Sequence, residues 1–148
     1  MPAYKPVTPL LAADIIIELI DQPHRPIILI ERKNPPFGWA IPGGFVDVGE
    51  RLEMAAIREA KEEVSLDVTL KVLLGLYSDP GRDERGHTVT AVYVAEATGL
   101  PQAADDAKNL AIFELDVLPQ LLAFDHHQVL EDYKIYRETG EVTRLRFS

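Results

Sequence analysis

Apolar residues fall first into runs of strand length and then, after residue 51, into a helical repeat. Thr8 to Ile20 is rich in Leu and Ile and reads as a strand, interrupted by Asp14. Asp21-Gln22-Pro23-His24-Arg25-Pro26 is a turn-rich connector. The run Ile27-Ile28-Leu29-Ile30 suits a buried strand that closes a hairpin with the first. Asn34 to Gly38 forms a loop, stiffened by Pro35 and Pro36, ahead of Trp39-Ala40-Ile41-Pro42. Leu52 to Val64 carries the helical period. Val68 to Tyr77 reads as the next strand, with a bulge expected at Gly75. Ser78 to His87 is a charged loop or hairpin tip, and Thr88 to Ala95 alternates as another strand. After a polar loop from Gly99 to Lys108, Leu110 to Leu115 is a short strand. Pro119 suits a first helical turn, and Asp125 suits the cap of a last helix, about His126 to Arg137. Thr139 to Ser148 is a polar tail with no assigned place. Strands, helix, strands and a terminal helix predict an α+β or mixed α/β fold. With no repeat, low-complexity tract or linker, residues 1–148 read as one domain.

The helix carries the candidate chemistry. At about 100° per residue, Glu62 and Glu63 lie roughly 60° and 40° either side of Glu59, so three carboxylates share one stripe. Ala55 and Ala56 sit beside them, and Ile57, Ala60 and Val64 form the expected buried seam. Like charges at i,i+4 cost a helix roughly 0.2–0.5 kcal/mol per pair, and nothing basic is expected between them on that face. A hard cation such as Mg²⁺ would relieve the repulsion through carboxylate oxygens; a solvated acidic face is the plain alternative. Gly43 and Gly44, just ahead, allow a ligand close to the backbone.

Composition narrows the classes. The chain has 148 residues, enough for a real core, and 47% hydrophobic with 26% charged residues is globular, not disordered. A net charge of −9 argues against a surface that holds nucleic acid by its phosphates. An anionic small substrate would then need a bridging metal or placed arginines. No cysteine is present, which is compatible with a reducing cytosol. No signal pattern or membrane-length apolar run is seen, so a soluble, cytoplasmic protein is expected.

Gly44, five residues, Glu50, seven residues, then Arg58-Glu59-Ala60-Lys61-Glu62-Glu63-Val64-Ser65-Leu66 resembles the signature box of the Nudix hydrolases. The one departure is Ser65, where the family usually has glycine, a residue suited to a left-handed helix end. The resemblance implies an α/β/α sandwich around a mixed sheet and metal-dependent hydrolysis of a diphosphate linkage. It implies that Glu59, Glu62 and Glu63 bind the metal, Mg²⁺ or else Mn²⁺, with Gly44 at the same site. Glu50 and Arg58 match positions used around that site, Arg58 orienting carboxylates. The segments Glu31 to Trp39, Tyr77 to His87, Ala104 to Ala107, and Leu118-Pro119 with Ala123 to His126 look like the members that hydrolyse ADP-ribose. ADP-ribose, giving AMP and ribose 5-phosphate, is therefore the substrate implied. Oxidised nucleoside triphosphates, or a non-catalytic ligand sensor, are the alternatives.

Around the box, several residues have two readings. Arg32 lies in an ADP-ribose-like segment, and Phe37 and Trp39 either flank a pocket and stack on a base or pack on the core. Arg82 and Arg85 either hold phosphate or ribose oxygens or are solvated hairpin-tip charges. The general base is Glu59 or, as in some ADP-ribose members, a later loop residue, here Asp105 or Asp106. His87 reads as locally hydrogen-bonded; His126 and His127 show no site spacing. The expected partner is a nucleoside diphosphate derivative, with no nucleic acid or membrane, and a homodimer stays open.

Overall fold

The computed structural model describes residues 4–104 and 107–148. Its elements are β1 (Leu10–Leu19), β2 (Ile27–Arg32), β3 (Trp39–Ala40), β4 (Gly43–Phe45), α1 (Leu52–Val64), β5 (Thr69–Tyr77), β6 (Thr88–Ala97), β7 (Ala107–Phe113) and α2 (His126–Thr139). The strands form one sheet in the order β3-β2-β1-β6-β5, with β4 also on β1 and β7 on β2. β1 runs parallel to β6, from Leu10 opposite Thr88 to Leu19 opposite Ala97, and antiparallel to β2 and β4. The expected β1–β2 hairpin forms, with Glu18 opposite Ile27.

A strand covered on both faces has no reason to alternate, which explains the near-continuous apolar run of β1. Ala13, Ile15, Ile17 and Leu19 pack into one core with Ala55, Ala56, Ala60 and Val64 of α1. Ile16 enters a second core with Val129, Leu130 and Tyr133 of α2. The result is the expected α/β/α sandwich on a mixed sheet.

Glu18 of β1 is wholly buried, and an unpaired carboxylate there would cost several kcal/mol. Tyr133 Oη donates to it at 2.6 Å, the Arg25 guanidinium donates to it, and Lys71 Nζ stands 3.5 Å away. This network ties α2 and the β1–β2 turn to the central strand.

The buried seam of α1 is Ala55, Ala56, Ala60 and Val64, together with Glu59. Ile57 is only half-buried, at the margin of that core, so the expected seam is rotated by part of a turn. Three alanines let the helix lie close to the sheet and bring Glu59 inward with them. The helix ends at Ser65, left-handed at φ 61° and ψ 33°, whose N–H donates to Lys61 O at 3.1 Å.

The later chain departs from expectation in four places. β7 covers Ala107–Phe113 in place of Leu110 to Leu115, because its partner β2 sets its register. Pro119 opens no helical turn; the segment runs on to form a bridge between Leu122 and Trp39. Trp39 N–H donates to Leu121 O and Ala123 N–H to Trp39 O, at 2.9 and 2.8 Å. That clasp fixes the approach to α2. Asp125 precedes α2 without capping it through its side chain, because its carboxylate is held by Arg82. The polar tail docks along β5, with Thr143 N–H on Leu74 O at 2.9 Å and Arg146 on Asp132 at 2.7 Å. The ladder shifts register between Leu73 and Gly75, as the glycine suggested. A Cβ on Gly75 would lie 2.8 Å from the Thr143 side chain, so the tail needs that glycine.

Candidate active site

α1, β4 and the ends of β1 and β2 meet around a cavity of ≈ 270 Å³. Its first wall is acidic. Arg58, one residue from Glu59, folds back across the stripe, donating from Nη1 to Glu59 Oε1 at 2.9 Å and to Glu62 Oε2 at 3.2 Å. Its Nε and Nη2 grip both oxygens of Glu50 at 2.8 and 2.9 Å, and Nη2 also reaches Phe45 O at 3.1 Å. The expectation that nothing basic serves this face is therefore corrected: a long side chain spans what the helical count keeps apart. Arg58 draws the Glu50 carboxyl down to about 2. Burial acts oppositely on Glu59 and raises its pKa, with Arg58 opposing. A buried carboxylate with raised proton affinity is a better base than its solvated neighbours.

β4 closes on this wall through its glycines. Gly43 N–H donates to Glu63 Oε2 at 2.9 Å. A Cβ on Gly44 would stand 2.5 Å from Glu59 Oε1, and one on Gly43 would collide with the Asp14 carboxylate. Any side chain at either position would displace a carboxylate. Carboxylates without sulfur ligands fit a hard divalent ion. In the rotamers present, Arg58 and the Gly43 N–H hold those oxygens, and among the described residues no three acidic or histidine side chains converge on one point. Glu53 is exposed and apart from the cavity.

The facing wall is basic and aromatic. The Phe124 ring has the Arg32 guanidinium 4.8 Å from its centroid and that of Arg85 at 5.2 Å; Arg85 also lies 5.5 Å from the Phe45 ring. Phe124 holds a left-handed backbone at φ 56°, a conformation that non-glycine residues keep where surrounding structure enforces it, often at functional sites. Here the Trp39–Ala123 clasp enforces it. Arg32 donates from Nε to Pro36 O at 2.7 Å. Burial, and after it the neighbouring Arg85, lowers its pKa. Arg85 is held by Asp83 at 2.9 and 3.1 Å.

Arg82 also lines the cavity but is buried, contrary to a solvated hairpin-tip charge. Its fork is taken up by Asp125 at 2.8 and 3.0 Å and by Thr88 O at 3.3 Å. Trp39 is not among the cavity residues. Its ring packs edge-on against Phe113, with centroids 5.2 Å apart, in the second core. Phe37 is exposed. Trp39 thus takes the core-packing alternative and Phe37 neither, while Phe45 and Phe124, brought in by β4 and by the clasp, are the aromatics at the cavity. Asp105 and Asp106 lie outside the described residues.

Two floor residues were missed. Asp14, the interruption in β1, accepts from Thr90 Oγ1 at 2.6 Å, and burial pushes its carboxyl up to about 6. A charged residue within an otherwise apolar buried run was the available signal. His126 is buried at the start of α2, its Nδ1 accepting from Ile41 N–H at 3.0 Å. Burial, with Arg82 and Arg32 next, lowers it to about 3, so the ring is neutral. His87 bonds locally to Ser78 O at 3.0 Å, as expected.

Known proteins resemble this arrangement over most of its length. An ADP-ribose pyrophosphatase of Methanocaldococcus jannaschii is 47% identical over 84% of this chain and 73% of its own. An ADPR responsive transcriptional repressor, NtrR, of Acinetobacter baylyi is 33% identical over 84% of this chain, which spans 52% of that protein. The NUDIX domain of Shewanella oneidensis NrtR, solved with ADP ribose, superposes with a TM-score of 0.77 at 28% identity, over 92% of this chain and 94% of that one. With the NUDIX domain model matched continuously from residue 9 to residue 133, β1 into α2, the chain belongs to the NUDIX family.

Proposed function

We infer that the protein hydrolyses ADP-ribose to AMP and ribose 5-phosphate with the help of a divalent metal, Mg²⁺ being the ion of choice. The observation that carries this reading is the cavity itself: a carboxylate wall on α1 facing Arg32 and Arg85 across a space lined by Phe45 and Phe124. The similarity to the M. jannaschii pyrophosphatase supports the substrate.

A diphosphate repels an attacking water through its own negative oxygens. Glu59, Glu62 and Glu63 would hold the ion, which when bound neutralises that charge and acidifies water. Arg58 keeps Glu50, Glu59 and Glu62 oriented by charge-assisted hydrogen bonds. Arg32 and Arg85 bind anionic substrate oxygens, with Phe124 holding the two guanidiniums in place. Glu59 takes the proton from the attacking water; Asp105 and Asp106 are the alternative bases. Arg82 supports the wall through Asp125. A second reading, an ADP-ribose sensor, is favoured by the likeness to an ADPR responsive transcriptional repressor and to a NUDIX domain solved with ADP ribose.

The test is product analysis. Purified protein with ADP-ribose and Mg²⁺ is expected to release AMP and ribose 5-phosphate, and excess chelator is expected to abolish it. ADP-ribose binding without turnover at any divalent ion would favour the sensor. Faster turnover of an oxidised nucleoside triphosphate would overturn the substrate.

A further inference from the structure

The floor of the cavity holds a polar pair that the proposed chemistry leaves unused. Asp14 and His126 both line it, and both are more than nine-tenths buried. Ile41 N–H donates to His126 Nδ1 at 3.0 Å. That nitrogen must therefore carry a lone pair, and the proton of the neutral ring sits on Nε2. Nε2 stands 3.9 Å from Asp14 Oδ2, too far for a hydrogen bond between them. The gap is narrow enough for one ligand group to reach both. Thr90 Oγ1 occupies one acceptor site of Oδ2 at 2.6 Å, leaving further lone pairs on the carboxylate.

The geometry points to Asp14 and His126 as a recognition subsite for an uncharged part of the substrate that accepts one hydrogen bond and donates another. His126 Nε2–H is the donor and the Asp14 carboxylate the acceptor. A phosphate oxygen would meet the Asp14 charge and is excluded. On ADP-ribose two groups have the required chemistry: a ribose hydroxyl, and the adenine edge with its amino group beside a ring nitrogen. The inference rests on ADP-ribose being the substrate. Arg32 and Arg85 then hold the charge, while the floor reads the neutral end and sets specificity.

The experiment compares wild-type protein with His126→Asn and Asp14→Asn, after thermal melts show that each variant folds. Asparagine at 126 keeps an oxygen for the Ile41 N–H and removes the Nε2 donor. Substrates are ADP-ribose, its singly deoxygenated ribose analogues, and the hypoxanthine analogue, in which the amino edge is replaced. In wild-type protein, analogues of one class, sugar or base, should lose about 10-fold or more in kcat/KM, carried mainly by KM. In both variants ADP-ribose itself should weaken, and the analogue penalty should shrink below about 3-fold, as expected when two changes remove one interaction. The sugar and base arms identify the source. Penalties of equal size in wild type and variants would overturn the subsite. So would the absence of any penalty in wild-type protein, a result that needs no variant to fold. No turnover of ADP-ribose by wild-type protein would overturn the substrate reading and the subsite together; turnover without a penalty would overturn the subsite alone.

Discussion

The two walls of the cavity differ in how they are assembled. The acidic wall comes from one continuous stretch, β4 to the end of α1, and its like charges are bridged within that stretch by Arg58. The opposite wall draws Arg32 from β2, Arg82 and Arg85 from the loop before β6, and Phe124 from the entry to α2, and the floor beneath it takes Asp14 from β1 and His126 from α2. Its cations are steadied by Asp125, Asp83 and aromatic rings. A local spacing suffices for the first; the second exists only once the sheet has formed. Carboxylates on one side and guanidiniums on the other suit a ligand that brings a cation and an anion together, as a metal-bound diphosphate does.

The comparison breaks most sharply on the acidic side. Glu59→Gln removes both a proposed metal-binding oxygen and the proposed base, and turnover should fall by about 10²–10⁴-fold. Glu53→Gln on the same helix should leave turnover within about twofold, because Glu53 faces away from the cavity and surface changes of this kind are small. Initial rates with saturating metal decide it. Near-normal rates for Glu59→Gln would move the base to Asp105 or Asp106.

On the basic side the two arginines should separate. The Arg82 side chain is only 3% exposed and its partner Asp125 17%. Arg82→Ala strands a carboxylate and the Thr88 carbonyl, and should destabilise the fold by about 3 kcal/mol. The Arg85 side chain is 44% exposed but its partner Asp83 only 1%. Asp83 keeps the Arg85 backbone N–H at 3.0 Å, so Arg85→Ala should cost about 1–2 kcal/mol, less than Arg82→Ala, while raising KM. Denaturant melts and saturation curves on both variants measure this. Equal loss of stability would mean that Arg85 is as structural as Arg82.

What could be read from sequence follows the same division. The bounds of α1 are a local property and stand. So do the hairpin of β1 and β2 and the left-handed Ser65. Of the three stripe carboxylates, Glu59 and Glu63 line the cavity while Glu62 is exposed beside it. Asp14 read as a defect in a strand because its partner Thr90 lies across a parallel pairing, with Asp14 opposite Val92 in register, that no local pattern reveals. His126 read as one of two adjacent helix-start histidines, because its partner Ile41 is 85 residues away. Asp125 has the right residue type for a cap, but Arg82 outcompetes the helix N–H groups for its carboxylate. Trp39 sits beside a functional loop in sequence, while the pleat of β3 turns its ring onto Phe113.

The smallest expected effect lies at the seam between the acidic wall and the rest of the fold. Ser65 closes α1 at φ 61°, where a side chain costs about 1–2 kcal/mol relative to glycine. Against this, glycine gives the unfolded chain more freedom, roughly 0.4–1 kcal/mol, and the substitution removes an exposed Ser65 Oγ–Gln102 O hydrogen bond at 3.3 Å. That bond is long and open to water, so its loss is minor. Ser65→Gly should therefore stabilise the protein by about 0.5–1 kcal/mol. Turnover should not change, because Glu59, Glu62 and Glu63 keep their positions on the helix. The denaturant midpoint should rise with the slope of the transition unchanged. A lower midpoint would mean that the Gln102 contact and the stiffer serine backbone outweigh the left-handed strain.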